Sequence, residues 1–140
     1  MNILFICSGN VGRSQMAAAL FTQYAGIKAF SAGIKVFENE NQKLKDHPLA
    51  KPVITLMKKE GLDVSQNKRT QVTQKMLSHF DKIIVMSEPE IIPEYLSKNK
   101  NTEFWNIQDP QGMDDKGYEK VAAQIKANVK AFIALNKLCK

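Results

Sequence analysis

Cys7 and Arg13 bracket the segment Cys-Ser-Gly-Asn-Val-Gly-Arg-Ser at residues 7–14, and two of the five residues between them are glycine. Each residue type in that set has a chemistry. A cysteine thiolate is a strong nucleophile, and positive surroundings favour the thiolate over the thiol. An arginine guanidinium is a planar fork that meets two phosphate oxygens at once, which the point charge of a lysine does not do. A glycine-rich turn from a strand into a helix can aim successive backbone N–H groups inward as a nest for an anion. Together, Ser8, Gly9, Asn10, Val11 and Gly12 would supply the nest, Arg13 the clamp, Ser14 the start of the helix and Cys7 the attacking sulfur. The alternative is a buried thiol followed by a tight turn. With two arginines against eighteen lysines in the chain, an arginine at this spacing is rare by chance and favours the chemical reading.

For such a loop to work, a strand must deliver Cys7 and a helix must receive Arg13. Residues 2–6 are a short apolar run of β-branched and aromatic character, and residues 14–24 carry Met16, Ala17, Leu20, Phe21 and Tyr24 at helical spacing ahead of Gly26. Further along, the pattern predicts a strand at 27–31, a polar loop reaching Pro48 and a helix at 49–60 closed by Gly61. A third helical pattern covers 70–80, a buried strand 82–86, a helix capped by Ser87 88–96, and a strand 102–106. A loop at 107–116 precedes a long final helix, 117–138. Strands alternating with helices imply an α/β fold around a parallel, doubly wound sheet covered on both faces. In such sheets ligands bind beyond the C-terminal strand edges, and the Cys7 loop lies at that edge.

Length and composition exclude several classes of function. A chain of 140 residues, 44% hydrophobic and 24% charged, is expected to form one domain over residues 1–140, with no low-complexity tract or repeat. No apolar run approaches the roughly 18 residues of a membrane span. The N-terminus has no secretory pattern, so a cytoplasmic location and no membrane partner are expected. The two cysteines, Cys7 and Cys139, lie at opposite ends of the chain and read as reduced thiols. The net charge of +6 raises nucleic acid as a partner. The lysines at 116, 120, 126, 130 and 137 instead recur as a solvated helix face, without interleaved aromatics, and no nucleic-acid partner is expected. His47 and His79 stand in no metal-ligand spacing, so no metal and no cofactor are expected. Asp109-Pro110 reads on its residues alone as a turn as readily as a functional acid.

Residues 7–14 resemble the signature loop of the low-molecular-weight tyrosine phosphatase superfamily, which also holds one class of arsenate reductases. Asn10 is similar to the family asparagine that orients the loop, Ser31-Ala32-Gly33 to its Ser-Ala-Gly after the second strand, and Asp109-Pro110 to its acid loop. The likeness spans nearly the whole chain. It implies a phosphatase I-like fold of three layers, a four-stranded parallel sheet with helices on both faces. It further implies catalytic roles for Cys7, Arg13 and Asp109, phosphate binding by residues 8–14, and support from Ser14, Ser31 and Pro110, with Ser14 hydrogen-bonding the Cys7 sulfur. The activity implied is hydrolysis of phosphomonoesters, of protein tyrosine phosphatase type, through a cysteinyl-phosphate. The substrate would be a phosphorylated protein or a small phosphate or other oxyanion, and no oligomeric state follows.

The departures from the family pattern bear on which activity to expect. Gly12 stands where many relatives carry a second, protective cysteine, and Gln111-Gly112-Met113 follows Asp-Pro where aromatics often flank a phosphotyrosine ring. Residues 105–110, Trp-Asn-Ile-Gln-Asp-Pro, resemble the arsenate reductase branch instead. The relay cysteines of thioredoxin-coupled arsenate reductases have no counterpart at residues 85–90, and Cys139 reads as a free tail thiol. The alternative function is therefore arsenate reduction with one protein cysteine and a small thiol. A third reading is a phosphate-binding module without turnover. Asp63, Ser65 and Arg69 fall in a family segment beside the site where Asn67 replaces the usual histidine, and only a structural part is expected of them.

Overall fold

A computed structural model describes residues 1–138, so Cys139 lies outside the described residues. Four strands form one sheet: β1 (Ile3–Cys7), β2 (Phe30–Gly33), β3 (Lys82–Val85) and β4 (Thr102–Phe104). Their order is β2-β1-β3-β4, and every pair is parallel. The helices are α1 (Arg13–Ala25), α2 (Lys51–Lys59), α3 (Glu94–Ser97) and α4 (Asp115–Leu135). The expected α/β fold with a four-stranded parallel sheet is thus the observed one.

Every residue of β1 is buried, because side chains alternate across a sheet that is covered on both sides. Ile3, Phe5, Ile84 and Met86 face one layer, where they pack with Met16, Leu20 and Phe21 of α1 and with Val121, Ile125 and Phe132 of α4. Phe5 packs at 5.9 Å from the Phe21 ring and 5.7 Å from that of Trp105, within the range for favourable tilted pairs. Leu4, Ile6, Ile83 and Val85 face the other layer, a thinner one built on Ile34, Val72, Leu77 and Leu96. The second face is covered by short helical turns and α3 rather than by long helices.

Local signals account for the element ends. Gly26 adopts φ 72° and donates its N–H to the Thr22 carbonyl, closing α1 in the left-handed conformation glycine takes without penalty. Asp114 caps α4, its carboxylate accepting from the Gly117 N–H at 2.9 Å, so that helix starts earlier than residue 117. The second strand starts at Phe30 rather than residue 27, because the Ala29 N–H is taken by the Thr22 hydroxyl and not by β1.

Two predicted helices are broken. Over 70–80 only Lys75–His79 winds, as a 3₁₀ turn. Residues 70–72 instead run beside β2, with the Gly33 N–H donating to the Thr70 carbonyl and the Val72 N–H to the Gly33 carbonyl. Over 88–96 a 3₁₀ turn, Pro89–Ile91, is separated from α3 by Pro93. That proline drives Ile92 out of helical geometry, and Ser87 does not cap a continuous helix. Among the described residues no helix is long and apolar enough to cross a membrane.

Candidate active site

The ends of β1, β3 and β4 converge on one cleft. Cys7 is the last residue of β1, and its Cα registers with that of Gly33 at the end of β2. The Ile34 N–H then donates to the Cys7 carbonyl and the Lys35 N–H to that of Ser8. A Cβ on Gly33 would stand 2.8 Å from the Asn10 nitrogen and 2.9 Å from the Ser8 oxygen, so only glycine lets β2 approach the loop this closely. None of the N–H groups of residues 8–12 donates to another group among the described residues. They remain available as the nest the sequence suggested.

Asn10 bends that loop. It is fully buried at φ 55°, a left-handed conformation that asparagine tolerates better than most residues. The Thr70 backbone N–H donates to its Oδ1 at 2.8 Å, which orients the amide, since a backbone N–H can only donate. Nδ2 therefore donates, to Ser14 Oγ at 2.8 Å and to Ser31 Oγ at 3.0 Å. Ser14 Oγ accepts from Asn10, so its own proton is free for Cys7 Sγ, 3.0 Å away. A chain of donors thus runs from the Thr70 backbone through Asn10 and Ser14 to the sulfur.

Arg13 opens α1 and is 3% exposed. Its Nη1 donates to the Met86 carbonyl at 2.6 Å, the Ile107 carbonyl at 2.9 Å and Glu88 Oε1 at 3.0 Å. These acceptors follow β3 and β4, so the guanidinium ties the exits of three strands together. Nε and Nη2 have no hydrogen-bond partner among the described residues, and Asp109 Oδ2 stands 3.8 Å from Nη2. Asp109 is half-exposed and fixed by an Asx turn, its Oδ1 accepting from the Gln111 N–H at 3.0 Å. The buried Pro110 follows it. Gly9, Val11 and Gly12 join Cys7, Arg13, Asp109 and Pro110 in lining the cleft, whereas Ser8, Asn10, Ser14 and Ser31 hold the loop from behind.

Arg69, of which only a structural part was expected, lines the cleft too, as do His47 and Tyr118, which were not foreseen. Arg69 is buried against the loop, with Nε donating to the Gly9 carbonyl at 3.0 Å. Burial pulls its guanidinium below the ordinary value, and the Cys7 charge opposes that shift. His47 accepts the Leu49 N–H on Nδ1 at 3.1 Å. Burial and then the Arg69 charge push it below 6.5, so the imidazole is neutral at neutral pH. Tyr118 forms part of the wall beside Asp109. Burial, then the Asp109 charge, raise its phenol above the ordinary value and keep it protonated. Among the described residues no group of three or more His, Cys, Asp or Glu could hold a metal ion.

Glu88, the carboxylate on Arg13, was also missed. Burial pushes its carboxyl up, but a backbone hydrogen bond and then the hydrogen bond and charge of Arg13 outweigh this, leaving it below its ordinary value of 4.5. The pair therefore stabilises the folded chain above that value, and its contribution is lost as the pH falls through the lower folded-state value. Glu88→Gln should unfold at a lower temperature than the wild type at pH 7, and the gap should close in acid. Thermal melts from pH 3 to 7 test this; a gap that persists at pH 3 would mean that the charge of Glu88 is not what stabilises.

A parallel α/β sheet with a cysteine and a loop of unpartnered N–H groups at its C-terminal edge is the frame that the comparisons with known proteins share. A model of the family of low molecular weight phosphotyrosine protein phosphatases matches residues 2–140, and the chain belongs to that family. It is 31% identical to arsenate reductase 1 of Staphylococcus epidermidis, over 93% of each chain. It is 30% identical to the probable low molecular weight protein-tyrosine-phosphatase EpsP of Ralstonia solanacearum, over 94% of this chain and 92% of that protein. Among solved structures, arsenate reductase from Archaeoglobus fulgidus superposes with a TM-score of 0.72 at 31% identity, covering 94% of this chain and 98% of the other. Family members thus carry the names of both activities.

Proposed function

We propose that this chain is a phosphomonoester hydrolase of protein tyrosine phosphatase type that works through a cysteinyl-phosphate on Cys7. The observation that carries the reading is the placement of Cys7 Sγ. It sits 3.0 Å from the Ser14 hydroxyl, beneath unpaired loop amides, in a cleft that Arg13 and Asp109 also line. A phosphate seated on the N–H groups of residues 8–12 would meet the free Nε and Nη2 of Arg13, whose third nitrogen is already anchored. The Cys7 thiolate attacks phosphorus while the bond to the ester oxygen breaks, and Asp109 gives that oxygen its proton. Water then attacks the phosphorus, Asp109 takes a proton from it, and the P–S bond breaks to release phosphate and the thiolate. Ser14 donates to the sulfur and eases its departure. Asp114 is engaged as the α4 cap, which leaves Asp109 as the acid of this loop in the cleft.

The likeness to proteins named arsenate reductase favours a second reading, reduction of arsenate by Cys7 with a small thiol as reductant. Cys7 is the one cysteine among the described residues, so an internal disulfide relay within them has no second member. A parallel assay separates the readings: an aryl phosphate in one arm, arsenate with glutathione or dithiothreitol in the other. Release of phosphate without arsenite formation is expected. Arsenite formation with no ester cleavage would replace the first reading by the second.

A further inference from the structure

The chain uses lysine for almost all its positive charge, and both of its arginines line this cleft. Arg69 is 7% exposed. Its guanidinium is bound only to neutral acceptors, the Gly9 carbonyl through Nε at 3.0 Å and Gln42 Oε1 through Nη1 at 2.8 Å. Among the described residues no carboxylate lies within 4.0 Å of it. Nη2, without a hydrogen-bond partner, is on the Gly9 side of the loop, 3.6 Å from where a Cβ on that residue would stand. A buried guanidinium with no carboxylate partner is costly, and an anion in the cleft would relieve that cost. The planar fork lets one group hold two acceptors in different directions, beyond the charge that a lysine would also supply.

We propose that Arg69 is a second cation of the oxyanion site, pinning the Gly9 carbonyl away from the nest and adding its charge to that of Arg13 beside Cys7. The loop is then built for a multiply charged oxyanion, a phosphate monoester dianion or its inorganic counterpart, rather than a singly charged one. This rests on the reading of residues 7–14 as an oxyanion site.

The test compares alkylation of Cys7 by iodoacetate, an anion, with alkylation by neutral iodoacetamide. The ratio of the two rates cancels the thiolate fraction and reports the charge that an incoming anion meets. Arg69→Gln should lower that ratio by about tenfold, as expected for one charge removed at short range in a partly solvated cleft. Arg69→Met, which fills the same buried space, should do the same, and Arg69→Lys should keep most of the ratio. Phosphate affinity by calorimetry should fall by about tenfold in the two neutral variants. An unchanged ratio, or an equal loss with both reagents, would overturn the proposal and leave Arg69 a scaffold residue. Phosphate bound equally by wild type and Arg69→Gln would remove Arg69 but leave the oxyanion reading intact. A wild type that binds neither phosphate nor vanadate would remove both.

Discussion

Cys7→Ser should reduce ester hydrolysis to background while binding of phosphate or vanadate stays within a few-fold of wild type. The two halves of that result have separate physical origins. Turnover needs a sulfur that attacks phosphorus, and a serine hydroxyl in the same place, with no base to take its proton, is a far weaker nucleophile. Binding needs the amides of residues 8–12 and the Arg13 fork, which are set by other contacts. Asn10 is held by Thr70, Ser14 and Ser31, and Arg13 by Met86, Ile107 and Glu88. Kinetics with an aryl phosphate and calorimetry with vanadate measure the two halves. Substantial turnover in the variant would remove the covalent mechanism. Loss of both together would mean that Cys7 shapes the loop as well as attacking from it.

The parts of the site that could be read from sequence are those that lie close together in the chain. Residues 7–14 carry the strand end, the loop that lines the cleft and the helix start within one segment, so residue types and spacing were sufficient to place them. β1 and β3 were legible because strands buried on both faces are unbroken apolar runs. What was missed joins the site across the fold. Arg69 was expected beside the site only in a structural part, and nothing in its local polar stretch marks its place in the cleft lining. The available signal was its scarcity, since a chain with eighteen lysines has little use for an arginine except where a planar fork is needed. Glu88 was hidden inside a predicted helix that Pro93 in fact breaks. Pro89 is acceptable in a first helical turn, but a second proline four residues later is not. Residues 70–72 looked helical by pattern, yet Gln71 uses its side chain to accept the Val36 and Phe37 N–H groups, each at 2.7 Å, and the backbone pairs with β2. Tertiary hydrogen bonds there overrode the local periodicity.

Asp109→Asn should cut kcat with aryl phosphates by about 10² to 10⁴, the usual worth of a positioned general acid. The loss should be graded. A nitrophenyl ester leaves readily without a proton and should lose least, while phosphotyrosine or an alkyl phosphate should lose most. Phosphate binding should change little, because the Asp109 carboxylate stands 3.8 Å from Arg13 Nη2 and makes no hydrogen bond to the loop that holds the anion. The measurement is kcat over esters of graded leaving-group pKa for wild type and variant. An equal loss across the series would sink the assignment of Asp109 as acid. Asp114 is an unconvincing substitute, since replacing it would uncap α4 and lower stability rather than produce a graded kinetic effect.

The central claim, a covalent phosphoryl transfer to one sulfur, is tested most directly by acid-quenching the enzyme during steady-state turnover of an aryl phosphate and mapping the adduct by mass spectrometry. A phosphoryl group on the peptide that carries Cys7, formed within the first turnover and absent in Cys7→Ser, is the predicted result. An enzyme that turns over under the same conditions with an unmodified Cys7, or with phosphate on another residue, would contradict it.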